Sequence, residues 1–144
     1  MQAKAYLRQA YRINQLIQSN QKELEELHEL SISISGIDTS KDTVQTSPSG
    51  DASYTKIIEK IDELERIIKN DIDKLLNLKL DIKKTIDSVS DSEERLLLQE
   101  RYLNFMEWDD ISESMYVSTR HIHRIHGRAL NKVNEILKVG TPCH

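Results

Sequence analysis

Residues 115–130 read MYVSTRHIHRIHGRAL, placing three arginines and three histidines on one short segment. The segment also carries Ile122, Ile125 and Ala129, and Val133 follows, at i, i+3, i+7 and i+11. An α-helix turns once in about 3.6 residues, so these four share a face. Burying that face against a core drives Thr119, Arg120, His121, His123, Arg124 and Arg128 to other sides. The spacing predicts a helical rod, apolar on one side and cationic elsewhere. Ser118 suits its N-cap, because a serine hydroxyl there accepts from a free N–H of the first turn. The helix is expected to run to about Lys138, with Gly140 and Pro142 stopping it.

Upstream of the rod, Trp108 to Ser114 reads as a short helix, followed by a turn over Met115 to Val117. Before that, Ser90 opens SDSE, a capping-box spacing with Ser90 as cap and Glu93 reaching back. The helix begun there carries Leu97, Leu98 and Tyr102 and breaks near Asn104. Short helix, three-residue turn and capped basic helix follow the order of a helix-turn-helix. A helix of this kind fits the major groove of DNA, where guanidinium groups reach guanine edges or phosphates. Ser118 and Thr119, with the free N–H groups of the first turn, suit a phosphate. Double-stranded DNA is the expected partner.

The chain has 144 residues and a formal charge of -4, yet its charge is segregated. From Ser118 to Lys138 the bases exceed the acids by four, whereas eight acids lie between Asp91 and Glu113. Net acidity therefore does not exclude a polyanion, since binding depends on where the charges sit. Charged residues make up 31% and aromatics 5%, with four glycines and two prolines, a composition that fits long amphipathic helices. The expected class is all-α.

Tyr6, Ala10, Ile13, Ile17, Leu24 and Leu27 recur at steps of three and four, with Asn20 in the same seam. This predicts a first helix of about thirty residues with a partner along it. A polar residue in such a seam fixes register at some cost in stability. Residues 36–53 hold two glycines, one proline and many Ser, Thr and Asp, and read as a flexible connector. From Tyr54 the apolar period resumes with Ile57, Ile61, Leu64, Ile68, Ile72, Leu75, Leu78, Ile82 and Ile86. A second set, Ile58, Ile67, Leu76 and Leu80, widens the stripe and predicts further neighbours, a second copy or the C-terminal part of the chain. The expected organisation is a helical hairpin over 1–89, a helix-turn-helix domain over 90–139 and a tail over 140–144. The hairpin reads as the oligomerisation or partner-binding unit. Lys4, Arg8 and Arg12 form an i, i+4, i+8 row, a wet face or a second contact for DNA or a partner.

Residues 92–136 resemble region 4 of sigma-70-type factors and the related C-terminal domains of phage transcription regulators. The residues that carry the likeness are Arg101-Tyr102, Trp108 to Ile111, Val117-Ser118 and Arg128-Ala129-Leu130. The layout of the whole chain is similar to small phage and prophage proteins, among them ArpU-type late-gene regulators. The resemblance implies DNA contacts at Ser118, Thr119, Arg120, His121, His123 and Arg124, with Arg128 and Lys132 nearer the backbone. It implies transcriptional regulation, with RNA polymerase as a further partner. Three positions depart from the family pattern. Tyr116 stands where a turn glycine is common, Glu107 replaces a Ser or Thr cap, and Gly127 lies inside the recognition helix, leaving room for DNA or a neighbouring helix.

Two other classes compete. One is a DNA-packaging component similar to small terminase subunits; the other is a coiled-coil structural protein whose basic helix packs on acidic surface. Of the histidines only His123 and His126 share a helix face, which falls short of a metal site, and Cys143-His144 offers a weak pair. No phosphate-cradling glycine loop and no nucleophile with a base occurs, so neither a cofactor nor an enzyme is expected. Trp108, Ile111 and Val117 read as core. The single cysteine and the lack of a long apolar run point to a cytoplasmic protein without internal disulfides.

Overall fold

A computed structural model describes residues 2–40 and 48–140, with side chains described over 2–34 and 52–139. Six helices follow in order: α1 (Ala3–Leu7), α2 (Gln9–Ser40), α3 (Pro48–Asp87), α4 (Ser92–Tyr102), α5 (Trp108–Met115) and α6 (Thr119–Gly140). No strand occurs among the described residues, so the protein is all-α. The stretch 36–53, expected as a connector, is helical at 36–40 and 48–53; residues 41–47 lie outside the described residues. So do Pro142, Cys143 and His144 of the tail.

The chain forms two compact units, Met1–Asn14 with Lys74–His144, and Gln15–Asp73. The core of the first joins chain ends that are far apart in sequence. Ala3, Leu7 and Ala10 pack with Ile82, Ile86 and Val89 of the α3 end, with Leu98, Tyr102 and Leu103, and with Ala129 and Val133 of α6. Tyr6 and Thr85 hydroxyls lie 3.1 Å apart, and the Asn134 side chain accepts from the Ala3 N–H at 2.7 Å. That bond satisfies one of the free donors that open α1. The last three helices thus share a core with both the start of the chain and the end of α3, as a segment of about fifty residues, marginal alone, requires.

A second cluster holds Leu97, Ile111, Ile122 and Ile125, all fully buried, with Trp108, Met115 and Val117 packed against it. Trp108, Ile111 and Val117 therefore fall in the core, as their apolar character requires. Each buried Leu or Ile contributes about 1.5–3 kcal/mol.

Local signals set the ends of these helices. The cap of α4 is Asp91, not Ser90: its carboxylate accepts from the Glu93 and Glu94 N–H groups at 2.9 and 3.0 Å. A charged acceptor at a helix N-terminus also meets the dipole, which favours the aspartate over the neighbouring hydroxyl. At α6 the expected cap is found, with Ser118 Oγ accepting from His121 N–H at 3.1 Å. Between α5 and α6, Tyr116 adopts the left-handed region, φ 57° and ψ 40°, despite the missing glycine. Ser112 closes this turn, its hydroxyl donating to the Val117 carbonyl while its own carbonyl accepts from Val117 N–H. Phe105 is also left-handed, φ 57°, which turns the chain between α4 and α5.

In the second unit Ile17, Ile61, Leu64 and Ile68 are buried. The next inward position of α3 is Asp71, 9% exposed, while Ile72, expected in the seam, is 45% exposed. Steps of four and three from Ile57 through Ile61, Leu64 and Ile68 land on residue 71, and the helix keeps this regular step although the apolar residue is the next one. Ile58, Ile67, Leu76 and Leu80 are exposed in the single chain. Asp71 Oδ2 is buried without a hydrogen-bond partner, a state that costs about 1–3 kcal/mol. Replacing Asp71 by leucine should therefore raise the urea midpoint of unfolding by an equivalent of about 1–3 kcal/mol; a lower midpoint would show that the carboxylate stabilises the chain.

Candidate nucleic-acid interface

The candidate surface lies on α6, whose inward face is fixed by Ile122, Ile125, Ala129 and Val133, each fully buried. At about 100° per residue, Arg120, Arg124, Gly127 and Asn131 fall within a narrow arc directly opposite. All four are exposed, and Thr119 and His123 flank them, also exposed. Arg120 and Arg124 make no ion pair among the described residues. Two guanidinium groups a turn apart are thus free to meet an outside acceptor. Asn131 is absent from the sequence-derived set. Its spacing from Arg120, Arg124 and Gly127 was the available signal, and an asparagine there can bond an adenine edge or a phosphate.

The remaining expected residues divide. Ser118 and Thr119 sit exposed at the start of α6, Ser118 as the cap. His121 is half-buried beside that cap. Arg128 and Lys132, expected nearer a phosphate backbone, bracket Glu94 of α4 in the free chain, at 3.8 and 2.7 Å. Glu94 is 3% exposed, and a buried carboxylate requires such partners. The Arg128 pair is long and open to solvent, which makes it weak; the Lys132 pair is close. Backbone N–H bonds from Glu94 and Glu93 and the charges of Lys132 and Arg128 hold the Asp91 carboxyl below its ordinary range. The basic character of α6 therefore divides between its free N-terminal half and a C-terminal half that meets the acids of α4.

The histidines divide too. His126 is 8% exposed and its Nε2 lies 2.6 Å from the Tyr102 hydroxyl. Burial, then the electrostatic influence of Lys4, His123 and Arg101, pushes the imidazole down to about 4. Burial pushes the Tyr102 phenol up to about 12. Both are neutral near pH 7, and His126 stays uncharged near pH 6. The Trp108 ring centre lies 4.9 Å from that of His123 and 4.6 Å from that of His126, and the Arg101 guanidinium lies 4.3 Å from it. Trp108 thus joins the core to the exposed edge of α6. No group of three or more metal-ligating side chains occurs among the described residues.

Glu107 stands at the N-cap of α5 without a side-chain capping bond. A Cβ added at Gly127 would meet nothing within 4 Å. Among the described residues, close approach of another helix therefore does not account for the glycine.

The protein family described as "Protein of unknown function (DUF1492)" matches residues 31–134, and the chain belongs to that family. Searches of curated proteins and of solved structures found no match. No helix among the described residues is long and apolar enough to cross a membrane.

Two outcomes follow from the geometry of α6. The unfolded chain takes up a proton at His126 near pH 6.5, whereas the folded chain resists until about pH 4. The stabilisation is complete above pH 6.5 and is lost as pH falls through that window, to a total of about 3 kcal/mol. Urea unfolding at about pH 7 and about pH 4.5 should show a smaller acid loss in His126→Gln than in the wild type; equal losses would contradict it. Gly127→Ala should raise stability by about 1 kcal/mol, through helix propensity alone.

Proposed function

We propose that the protein is a sequence-specific DNA-binding transcriptional regulator of phage or prophage genes, with α5 and α6 acting as a helix-turn-helix of the sigma-region-4 kind. The observation that carries this reading is the pair Arg120 and Arg124, exposed, without an ion pair among the described residues, and aimed away from a fully buried apolar face. A helix supported in this way keeps its cations at fixed spacing, which base-edge recognition requires. Ser118, Thr119, His121 and His123 surround the pair. Arg128 contributes to the phosphate backbone once it leaves its weak pair with Glu94, and Lys132 less so. Gly127 leaves the middle of the exposed arc without a side chain, so a duplex can approach the helix backbone there.

Acting as a regulator, the protein binds rather than converts its ligand, and it requires no cofactor. Its long helices serve oligomerisation or contact with RNA polymerase. A packaging component of the small-terminase kind would use the same α6, but in a ring. Size measurement by light scattering separates the two, a monomer or dimer favouring the regulator.

Selection from a random-sequence duplex pool, followed by mobility-shift titration on the enriched sequence, tests the reading. The wild type should enrich a defined sequence, and log K should fall with log[salt] at a slope of about -3 or steeper. Arg120→Ala with Arg124→Ala should weaken binding by about tenfold or more at unchanged helix content. No enrichment, or unchanged binding by the double variant, would overturn it.

A further inference from the structure

Away from the outer arc of α6, a cleft of about 200 Å³ opens between the start of the chain and the α4–α5 junction. Its walls bring together Lys4 of α1, Arg8 at the α1–α2 join, Arg101 of α4, the rings of Phe105 and Trp108, and a single acid, Glu107. Lys4 and Arg8 are exposed and form no ion pair among the described residues. Arg101 is held in place, donating to the Met106 carbonyl at 2.9 Å and covering the Trp108 ring. Three cations thus face one opening against one carboxylate. Their field reaches inward, since Lys4 and Arg101 both help to keep His126 unprotonated.

Gathering three cations around a single carboxylate works against the folded chain, and an outside anion relieves it. Two observations favour an extended polyanion over a small one. Arg8 N–H bonds to Lys4 O at 3.0 Å and Arg12 N–H to Arg8 O at 3.2 Å, so the helical repeat runs through the α1–α2 join. Lys4, Arg8 and Arg12 therefore stay on one face, and Arg12 continues the row outside the cleft. In addition, Trp108 forms a wall of the cleft and meets His123 on the exposed edge of α6, so the cleft and that edge flank one indole.

We infer that this cleft is a second DNA contact, in which Lys4, Arg8 and Arg101 hold the phosphate backbone beside the groove occupied by α6. The inference rests on the DNA-binding reading above. Such contacts carry no sequence information and act through charge, releasing counterions as they form. They set the position of α6 along the duplex.

The test is Lys4→Gln with Arg8→Gln in the full chain, at two side chains that support no described packing or pairing. Titration on the enriched duplex should give a salt slope shallower by about 1.8, two contacts at about 0.9 each. Affinity should fall by a similar factor on enriched and unrelated duplexes, with the sequence preference kept. Arg120→Ala with Arg124→Ala should instead reduce the preference. An unchanged slope in the Lys4 and Arg8 variant, beside a wild type that binds, overturns the cleft contact and leaves α6 as the reader. A wild type that retains no duplex overturns the DNA-binding reading and the cleft contact together.

Discussion

Burial of one face of α6 is the constraint on which the rest of the first unit depends. Ile122 and Ile125 complete a cluster with Leu97 and Ile111. Two turns on, Ala129 and Val133 complete another with Ala3, Leu7, Ile82 and Ile86. One helix therefore ties α4 and α5 to the start of the chain and the end of α3. Apolar burial is non-directional, but the helical repeat makes it directional in effect. Once the four residues point inward, the rotation of α6 is fixed, and the outward position of Arg120 and Arg124 follows.

Electrostatics then divides the basic residues by their distance along the same helix. The C-terminal half passes over the start of α4, where Glu94 is almost fully buried and needs cations near it. Lys132 and Arg128 supply them. The N-terminal half passes over α5, whose Asp109 and Asp110 face solvent, and its arginines make no ion pair among the described residues. A single charge total for the helix hides this division. The histidines follow the same logic: His126 faces the core, where burial keeps it neutral, and His123 lies at the edge against Trp108. At the turn between α5 and α6, packing overrides local preference. Tyr116 accepts a left-handed backbone at about 1 kcal/mol, with its side chain in solvent and the turn closed by Ser112.

Helix periods, the inward face of α6, its Ser118 cap and the break before α5 were legible in the sequence, because each follows from spacing or from a residue's own chemistry. One-residue choices were less so. Asp91 rather than Ser90 caps α4, since two neighbouring acceptors compete and the charged one wins. Asp71 rather than Ile72 lies inward on α3, since the regular repeat outweighs one apolar side chain. Residues 36–40 and 48–53 are helical where their composition suggested a connector.

By itself the sequence determined an all-α chain with one amphipathic basic helix, because periodicity is a property of neighbours along the chain. Only the tertiary structure decided which cations are free. Arg128 and Lys132 are taken up by Glu94, thirty-four and thirty-eight residues earlier, while Lys4 and Arg8 come to share a cleft with Arg101 from the far end of the sequence. The physical reason is range: side chains remote in sequence meet only after the apolar faces have packed, and the balance of charge at each place is set by that meeting.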